Sequence, residues 1–332
     1  MHHKYAAHIH YLRQKVEKEL EEISFPERPG NLYNPLVYSL SAGGKRIRPL
    51  LVLLACELFA RKNNLSLYPA IGIELFHNFT LIHDDIMDEA DIRRNRKTVY
   101  KKWGRNSAIL SGDVMLVRAY DYLCRCKKEV LPEVLKTFSD AAVRVCEGQQ
   151  LDMEFEKKEE VSLREYLGMV SRKTGALVAA SLKIGGLTGG ATAGAAERLW
   201  ETGNNLGIAF QLQDDYLDTF STGMKFGKKI GGDIMSNKKT FLSVTAMELA
   251  SGKEKQRMKN LYSGYYSSRA GRNKKIETIT GIFREMEIDK RATEYINRYY
   301  NKCLSLLYKI PARSRSSETL RHFIDDLRKR KS

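Results

Sequence analysis

Two five-residue clusters, Asp84-Asp85-Ile86-Met87-Asp88 and Asp214-Asp215-Tyr216-Leu217-Asp218, interrupt stretches that are otherwise largely apolar and helical in pattern. At 3.6 residues per turn, the first and last aspartates of each cluster share one helix face, a turn apart. Carboxylates set side by side in this way repel each other and are unfavourable unless a cation joins them. Magnesium suits such a place, because it takes oxygen ligands and shares its shell with water and phosphate oxygens. One cluster alone would be as ordinary as any charged helix end. Two in one chain point to a purpose for the metal.

The basic residues nearby supply that purpose. Gly43-Gly44-Lys45-Arg46-Ile47-Arg48-Pro49 precedes the first cluster and Arg93-Arg94 follows it; Lys228 and Lys238 follow the second. Arginine offers a planar fork of donors that matches diphosphate oxygens, and lysine offers a compact charge. Taken singly, each reads as a soluble surface residue. Together, metal-attracting aspartates alternating with phosphate-attracting cations describe a site for magnesium-bridged diphosphates.

The rest of the chain predicts an all-α fold: one large single-domain helical bundle over residues 1–332, with its site built from side chains on facing helices. Ile9, Leu12, Val16 and Leu20 recur at helical spacing, and 46–60, 70–90, 106–126, 130–155, 163–183, 195–220 and 239–250 also read as helices. Asn106 and Ser162 are the expected N-caps. The glycine patches 185–190 and 227–232 are expected to be connectors or phosphate-facing loops. Hydrophobic residues at 42% are ample for a core, and only seven prolines occur, with no linker. The longest apolar stretch, 49–60, contains Glu57 and is too short to span a bilayer. With no secretory leader pattern either, a cytoplasmic protein is expected. Five cysteines without a CxxC pair suggest neither zinc nor disulfides. The net charge of +16 permits nucleic acid, anionic membrane or anionic substrate as partner, but no nucleic-acid motif accompanies it. At most, peripheral contact of the basic tail with a membrane is expected.

In the order and spacing of its motifs, the chain resembles the trans-prenyl diphosphate synthase (polyprenyl synthetase) family over nearly its full length, its geranylgeranyl- and farnesyl-forming members in particular. The matching residues are GGKRIRP at 43–49, His77, DDIMD at 84–88 with Arg93-Arg94, SGD at 111–113, GQQLD at 148–152 and KTG at 173–175. FQLQDDYLD at 210–218, FGKKIGGDI at 226–234 and NKKT at 237–240 complete the set. The resemblance implies an all-α fold with the two aspartate clusters facing each other across a deep central cavity, in a homodimer. It implies that Asp84, Asp88 and Asp214 hold Mg²⁺, three ions in all with bound diphosphate, and that Asp85, Asp215 and Asp218 support them. Arg93, Lys173, Thr174, Gln211, Lys228 and Lys238 would bind the allylic diphosphate, with Lys173 and Gln211 also serving catalysis. Lys45, Arg48, His77 and Arg94 would bind isopentenyl diphosphate. The chain departs from the family at Asn95, where glycine is usual; asparagine is the next residue most tolerant of a left-handed backbone.

Product length should depend on the residues one and two turns before Asp84. Thr80 with Phe79 and Phe76, and no insertion within the first cluster, resembles geranylgeranyl-forming (C20) relatives, with farnesyl (C15) second. Two rivals share parts of this pattern. A class I terpene cyclase would carry a different second metal motif and lack GGKRIRP. A catalytically silent regulatory subunit would have lost carboxylates or phosphate-binding cations.

Overall fold

Residues 2–61, 63–221, 231–264, 266 and 268–330 are described by the structure, a computed structural model. They are almost entirely helical. The helices are α1 (His2–Glu21), α2 (Gly30–Leu40), α3 (Ile47–Glu57), α4 (Leu67–Met87), α5 (Val99–Trp103), α6 (Arg105–Leu123), α7 (Leu131–Lys157) and α8 (Leu163–Val170). They continue as α9 (Ala176–Gly189), α10 (Ala193–Phe220), α11 (Gly232–Met235), α12 (Phe241–Leu249), α13 (Gly252–Ser263), α14 (Arg269–Glu285), α15 (Ile288–Tyr308) and α16 (Ser314–Lys329). A two-residue antiparallel ribbon, β1 (Ile92–Arg93) against β2 (Arg96–Lys97), pairs Ile92 with Lys97 and Arg93 with Arg96 just after the first aspartate cluster. Left-handed backbone at Arg94 and Asn95 (φ 52° and 61°) makes its turn, so Asn95 adopts the conformation its side chain tolerates.

The chain gathers into two compact units. The first comprises Met1–Asp140, Ala180–Trp200 and Leu307–His322; the second comprises Ala141–Ala179, Glu201–Leu306 and Phe323–Ser332. The first aspartate cluster belongs to the former and the second to the latter.

In the first unit, α3 is buried from Pro49 to Cys56, and the apolar stripe Ile9, Leu12, Val16 and Leu20 of α1 is buried as its spacing implied. Residues 185–189 lie inside α9, which overturns their reading as a connector. A Cβ on Gly185 would stand 2.1 Å from the carbonyl oxygen of Val52, and one on Gly189 2.5 Å from that of Cys56. These glycines therefore let two helices touch backbone to backbone. Only Gly190, with φ 96°, ends the helix in the expected way. The second glycine patch falls mostly outside the described residues, though Gly231 (φ 79°) caps α11.

Ser162 caps α8 in a reciprocal capping box with Glu165. Asn106 does not cap α6: Gly104 holds the N-cap position, and Asn106 is the helix's second residue. Seven of the described helices, α2, α5, α11 and α13 to α16, were not read from the sequence. In α16, Leu320, Phe323, Ile324 and Leu327 form a buried stripe amid dense charge. All five cysteines are free thiols, and no helix among the described residues is long and apolar enough to cross a membrane.

Candidate functional site

In the first unit, α4 delivers the first cluster at its C-terminal end. Asp84 is half-buried, Asp88 is exposed at the C-cap, and the amide of Asp88 donates to the carbonyl of Asp84 at 2.8 Å. Asp85 points away from them. It is only 4% exposed and accepts a hydrogen bond from Arg93 Nε at 2.7 Å. Arg93 thus gives one edge of its guanidinium to the cluster that precedes it.

The segment 43–49 is fixed by Arg46, which the sequence offers among the phosphate-attracting cations and the structure instead pairs with carboxylates. Arg46 has a left-handed backbone (φ 48°) and a buried side chain, while Lys45 and Arg48 flank it. Its guanidinium donates to Glu17 at 2.9 and 3.1 Å, to Glu74 Oε1 at 2.6 Å and to the carbonyl of Leu40 at 2.9 Å. Asn78 Nδ2 donates to the backbone of Glu74 at 2.8 Å and to its carboxylate at 3.3 Å. The two buried charges of this network, Arg46 and Glu74, are held by hydrogen bonds on several sides, as buried ions must be.

Arg48 lies 3.2 Å from His77 Nε2. Arginine has no acceptor, so the imidazole must be neutral at that nitrogen and accept. Burial, and then the nearby Arg48, Arg94, Arg93 and Arg46, hold the His77 pKa well below its ordinary value, consistent with that assignment. Arg94 donates to the carbonyl of Gly43, so the turn after α4 is tied to the glycine turn before α3. Lys45, Arg48, His77 and Arg94 therefore belong to one connected region of the first unit.

Below the cluster on α4, Thr80 donates to the carbonyl of His77 at 2.8 Å and is half-buried. Phe76 is a core residue, with ring centroids 5.4 Å from Phe79 and 5.1 Å from Phe138. Phe79 is half-buried, its ring 4.6 Å from that of His83.

In the second unit, Gln211, Asp214, Asp215 and Asp218 share one face of α10. Asp215 is 3% exposed and accepts from the Tyr166 hydroxyl, the Phe241 amide at 2.8 Å and Gln211 Nε2 at 3.0 Å. Burial, with repulsion from Asp233, pushes its pKa up to about 7, while those three hydrogen bonds pull it down. Asp214 is partly exposed and pairs with Arg330 at 2.6 Å. Asp218 Oδ2 accepts the amide of Asp233 at 3.0 Å, and the amide of Lys238 donates to the carbonyl of Asp233 at 2.9 Å. Lys228 lies outside the described residues.

Lys173 and Thr174 sit on a single π-helical turn, 171–175, between α8 and α9. Such a widened turn is a recurrent feature of functional sites. Glycines make room for it. A Cβ on Gly148 of α7 would fall 2.2 Å from the Lys173 backbone nitrogen, and one on Gly207 of α10 would fall 2.6 Å from the Cα of Gly175. Lys173 Nζ pairs with Asp152 at 2.5 Å, and Thr174 Oγ1 donates to Gln211 Oε1 at 3.0 Å.

Among the described residues, no group of three or more His, Cys, Asp or Glu side chains is set to hold a metal ion alone. Paired carboxylates one turn apart nevertheless fit magnesium, which binds through one or two carboxylates and completes its shell with water and phosphate oxygens. Sequence reasoning missed Asp152, Tyr166 and Arg330 as members of these clusters. Asp152 lies within a quoted motif, and Arg330 lies in the basic tail, where its sequence neighbours give no sign of a partner. Tyr166 gave no sequence signal.

Known proteins match this architecture. Residues 29–280 match the Polyprenyl synthetase family. The geranylgeranyl diphosphate synthase of Methanosarcina mazei is 43% identical over 236 residues, covering 70% of this chain and 72% of the relative. That of Sulfolobus acidocaldarius is 33% identical over 287 residues, covering 85% and 86%. A solved geranylgeranyl pyrophosphate synthetase from Pyrococcus horikoshii superposes with a TM-score of 0.91 at 34% identity, covering 99% of each chain.

Proposed function

Because this chain belongs to the polyprenyl synthetase family, and is on that ground a prenyltransferase, we propose that it joins isopentenyl diphosphate to allylic diphosphates head to tail, giving chiefly geranylgeranyl diphosphate. One observation supports the reaction above others: each unit presents aspartates at i and i+4 on one helix face, accompanied by cations suited to phosphate. Relatives named for the C20 product support the product assignment.

Asp84, Asp88 and Asp214 would hold Mg²⁺, three ions with bound diphosphate, while Asp85, Asp215 and Asp218 brace their own clusters. When bound, the ions neutralise charge on the leaving diphosphate and so favour breaking of the allylic C–O bond. Arg93, Lys173, Thr174, Gln211, Lys228 and Lys238 bind the same leaving group, and their donors gain strength as charge develops on it. Lys45, Arg48, Arg94 and neutral His77 orient isopentenyl diphosphate. Its double bond attacks the allylic carbon from which diphosphate has departed with the bonding electron pair. A proton then leaves the condensed product for the released diphosphate. Diphosphate release from isopentenyl plus farnesyl diphosphate, followed with Mg²⁺ and then with excess chelator, tests this reading; release that persists under chelation contradicts it.

Thr80 shares the face of Asp84 one turn back, a rise of about 5.4 Å that is close to one isoprene unit. An aromatic side chain there should stop growth one unit early. Thr80→Phe is expected to change the main product from C20 to C15 in product chromatography, and an unchanged C20 product would remove residue 80 from the floor.

The partner in solution is proposed to be a second copy of this chain. Ile109, Leu110 and Val117 are exposed apolar residues that fall within about 100° on α6, more than a lone surface helix needs. Leu110→Arg with Val117→Arg should halve the mass seen by light scattering. A wild-type protein that already runs as a monomer would refute the dimer.

A further inference from the structure

Tyr166 has no part in any motif, yet its side chain is buried against the middle of the second aspartate cluster. We propose that Tyr166 is a positioning residue which, through Asp215, sets the amide of Gln211 and the turn after Lys238 for the allylic diphosphate. The inference rests on the functional reading above and adds a residue to it.

The geometry is a relay within the second unit. The Tyr166 hydroxyl donates to Asp215 Oδ2, which also accepts the Phe241 amide at 2.8 Å. Phe241 opens α12 directly after its N-cap Thr240, two residues beyond Lys238. The other oxygen, Oδ1, accepts Gln211 Nε2 at 3.0 Å, and Gln211 Oε1 accepts Thr174 Oγ1 at 3.0 Å. A primary amide has one acceptor end and one donor end. With a carboxylate oxygen at one end and a hydroxyl donor at the other, only one orientation of Gln211 satisfies both. Reversal would set its carbonyl against the carboxylate of Asp215.

Tyr166 is placed to hold that carboxylate still. It projects from α8, whose start is fixed by the Ser162–Glu165 capping box, and α8 runs without interruption into the π turn bearing Lys173 and Thr174. One rigid element therefore supplies both the hydroxyl that anchors Asp215 and the Thr174 that ends the relay. Loss of the hydroxyl removes one donor to a buried carboxylate. Asp215 can then turn toward its other donors, and Gln211 moves with it.

Tyr166→Phe removes one oxygen and keeps the buried ring, so the protein is expected to fold. With Mg²⁺, isopentenyl diphosphate and farnesyl diphosphate, its KM for the allylic substrate should rise roughly ten-fold, the usual weight of a hydrogen bond to a charged group. Its KM for isopentenyl diphosphate should stay within about two-fold, because those groups lie elsewhere in the fold. In a Gln211→Leu background the same change should alter the allylic KM by less than about two-fold, since the relay's end is already gone. A lower melting temperature with both KM values unchanged would make Tyr166 a packing residue and overturn the inference. Equal multiplicative effects with and without Gln211 would also overturn it. Failure of the wild-type enzyme to elongate any allylic primer would overturn the functional reading itself, a result distinguishable from both.

Discussion

Asp88→Ala should lower kcat/KM for chain elongation by about a thousand-fold while changing folding stability by no more than about 0.5 kcal/mol. The two halves of that expectation have separate causes. Asp88 is exposed at the C-cap of α4, where the helix's own partial charge is already negative. A carboxylate there works slightly against the helix, so its loss costs the fold nothing of note. In the proposed site the same carboxylate, one turn from Asp84, would give magnesium a second oxygen ligand on that face. Leaving-group stabilisation is concentrated in the transition state, so the loss should fall on kcat more than on either KM. Steady-state kinetics together with thermal unfolding check both halves. A variant with near wild-type kcat would exclude Asp88 from metal binding, and a variant that unfolds would show a structural role in its place.

Arg46→Met should cost about 3–5 kcal/mol of stability, because it strands the carboxylate of Glu74 in the interior. The side chains of Arg46 and Glu74 are 1% and 2% exposed, and four hydrogen bonds from the guanidinium join α1, α2 and α4 to the start of α3. Exchanging Arg46 together with Glu74 for apolar residues of similar volume should recover much of the loss, since the penalty arises from the unpaired ion. Urea midpoints of the single and double variants measure this. A single variant within about 1 kcal/mol of wild type would mean that water reaches Glu74 and that the network is weak. In folded Arg46→Met protein the KM for isopentenyl diphosphate should rise, because Lys45 and Arg48 flank the position the network fixes.

The residues proposed to carry the chemistry were legible because their spacing is local. Aspartates at i and i+4 declare a shared helix face wherever the helix goes, and the cations around them need no tertiary knowledge to be read as phosphate ligands. The N-cap at Ser162 was legible for the same reason. What the sequence hid depends on long-range contact. Gly185 and Gly189 carry the local signal of a breaker, but backbone contact between α9 and α3 overrides it. The π turn at 171–175 is set between Gly148 and Gly207, residues distant in sequence. Dense Lys and Arg masked the helical stripes of the last eighty residues. Lys275 is buried and bonds Asn237 at 2.5 Å, a partner that its charge-rich surroundings do not disclose. Arg330 likewise reaches Asp214 across a separation of 116 residues. The relay from Tyr166 could not be read at all, since a tyrosine in an amphipathic helix predicts burial but not its partner.

The most direct test of the account is incubation of the full chain with Mg²⁺, labelled isopentenyl diphosphate and each of the C5, C10 and C15 allylic primers, with chromatography of the dephosphorylated products. The account predicts a discrete C20 alcohol from every primer accepted, and none once the metal is chelated. No elongation from any primer, or chains mainly of C30 and longer, would contradict it.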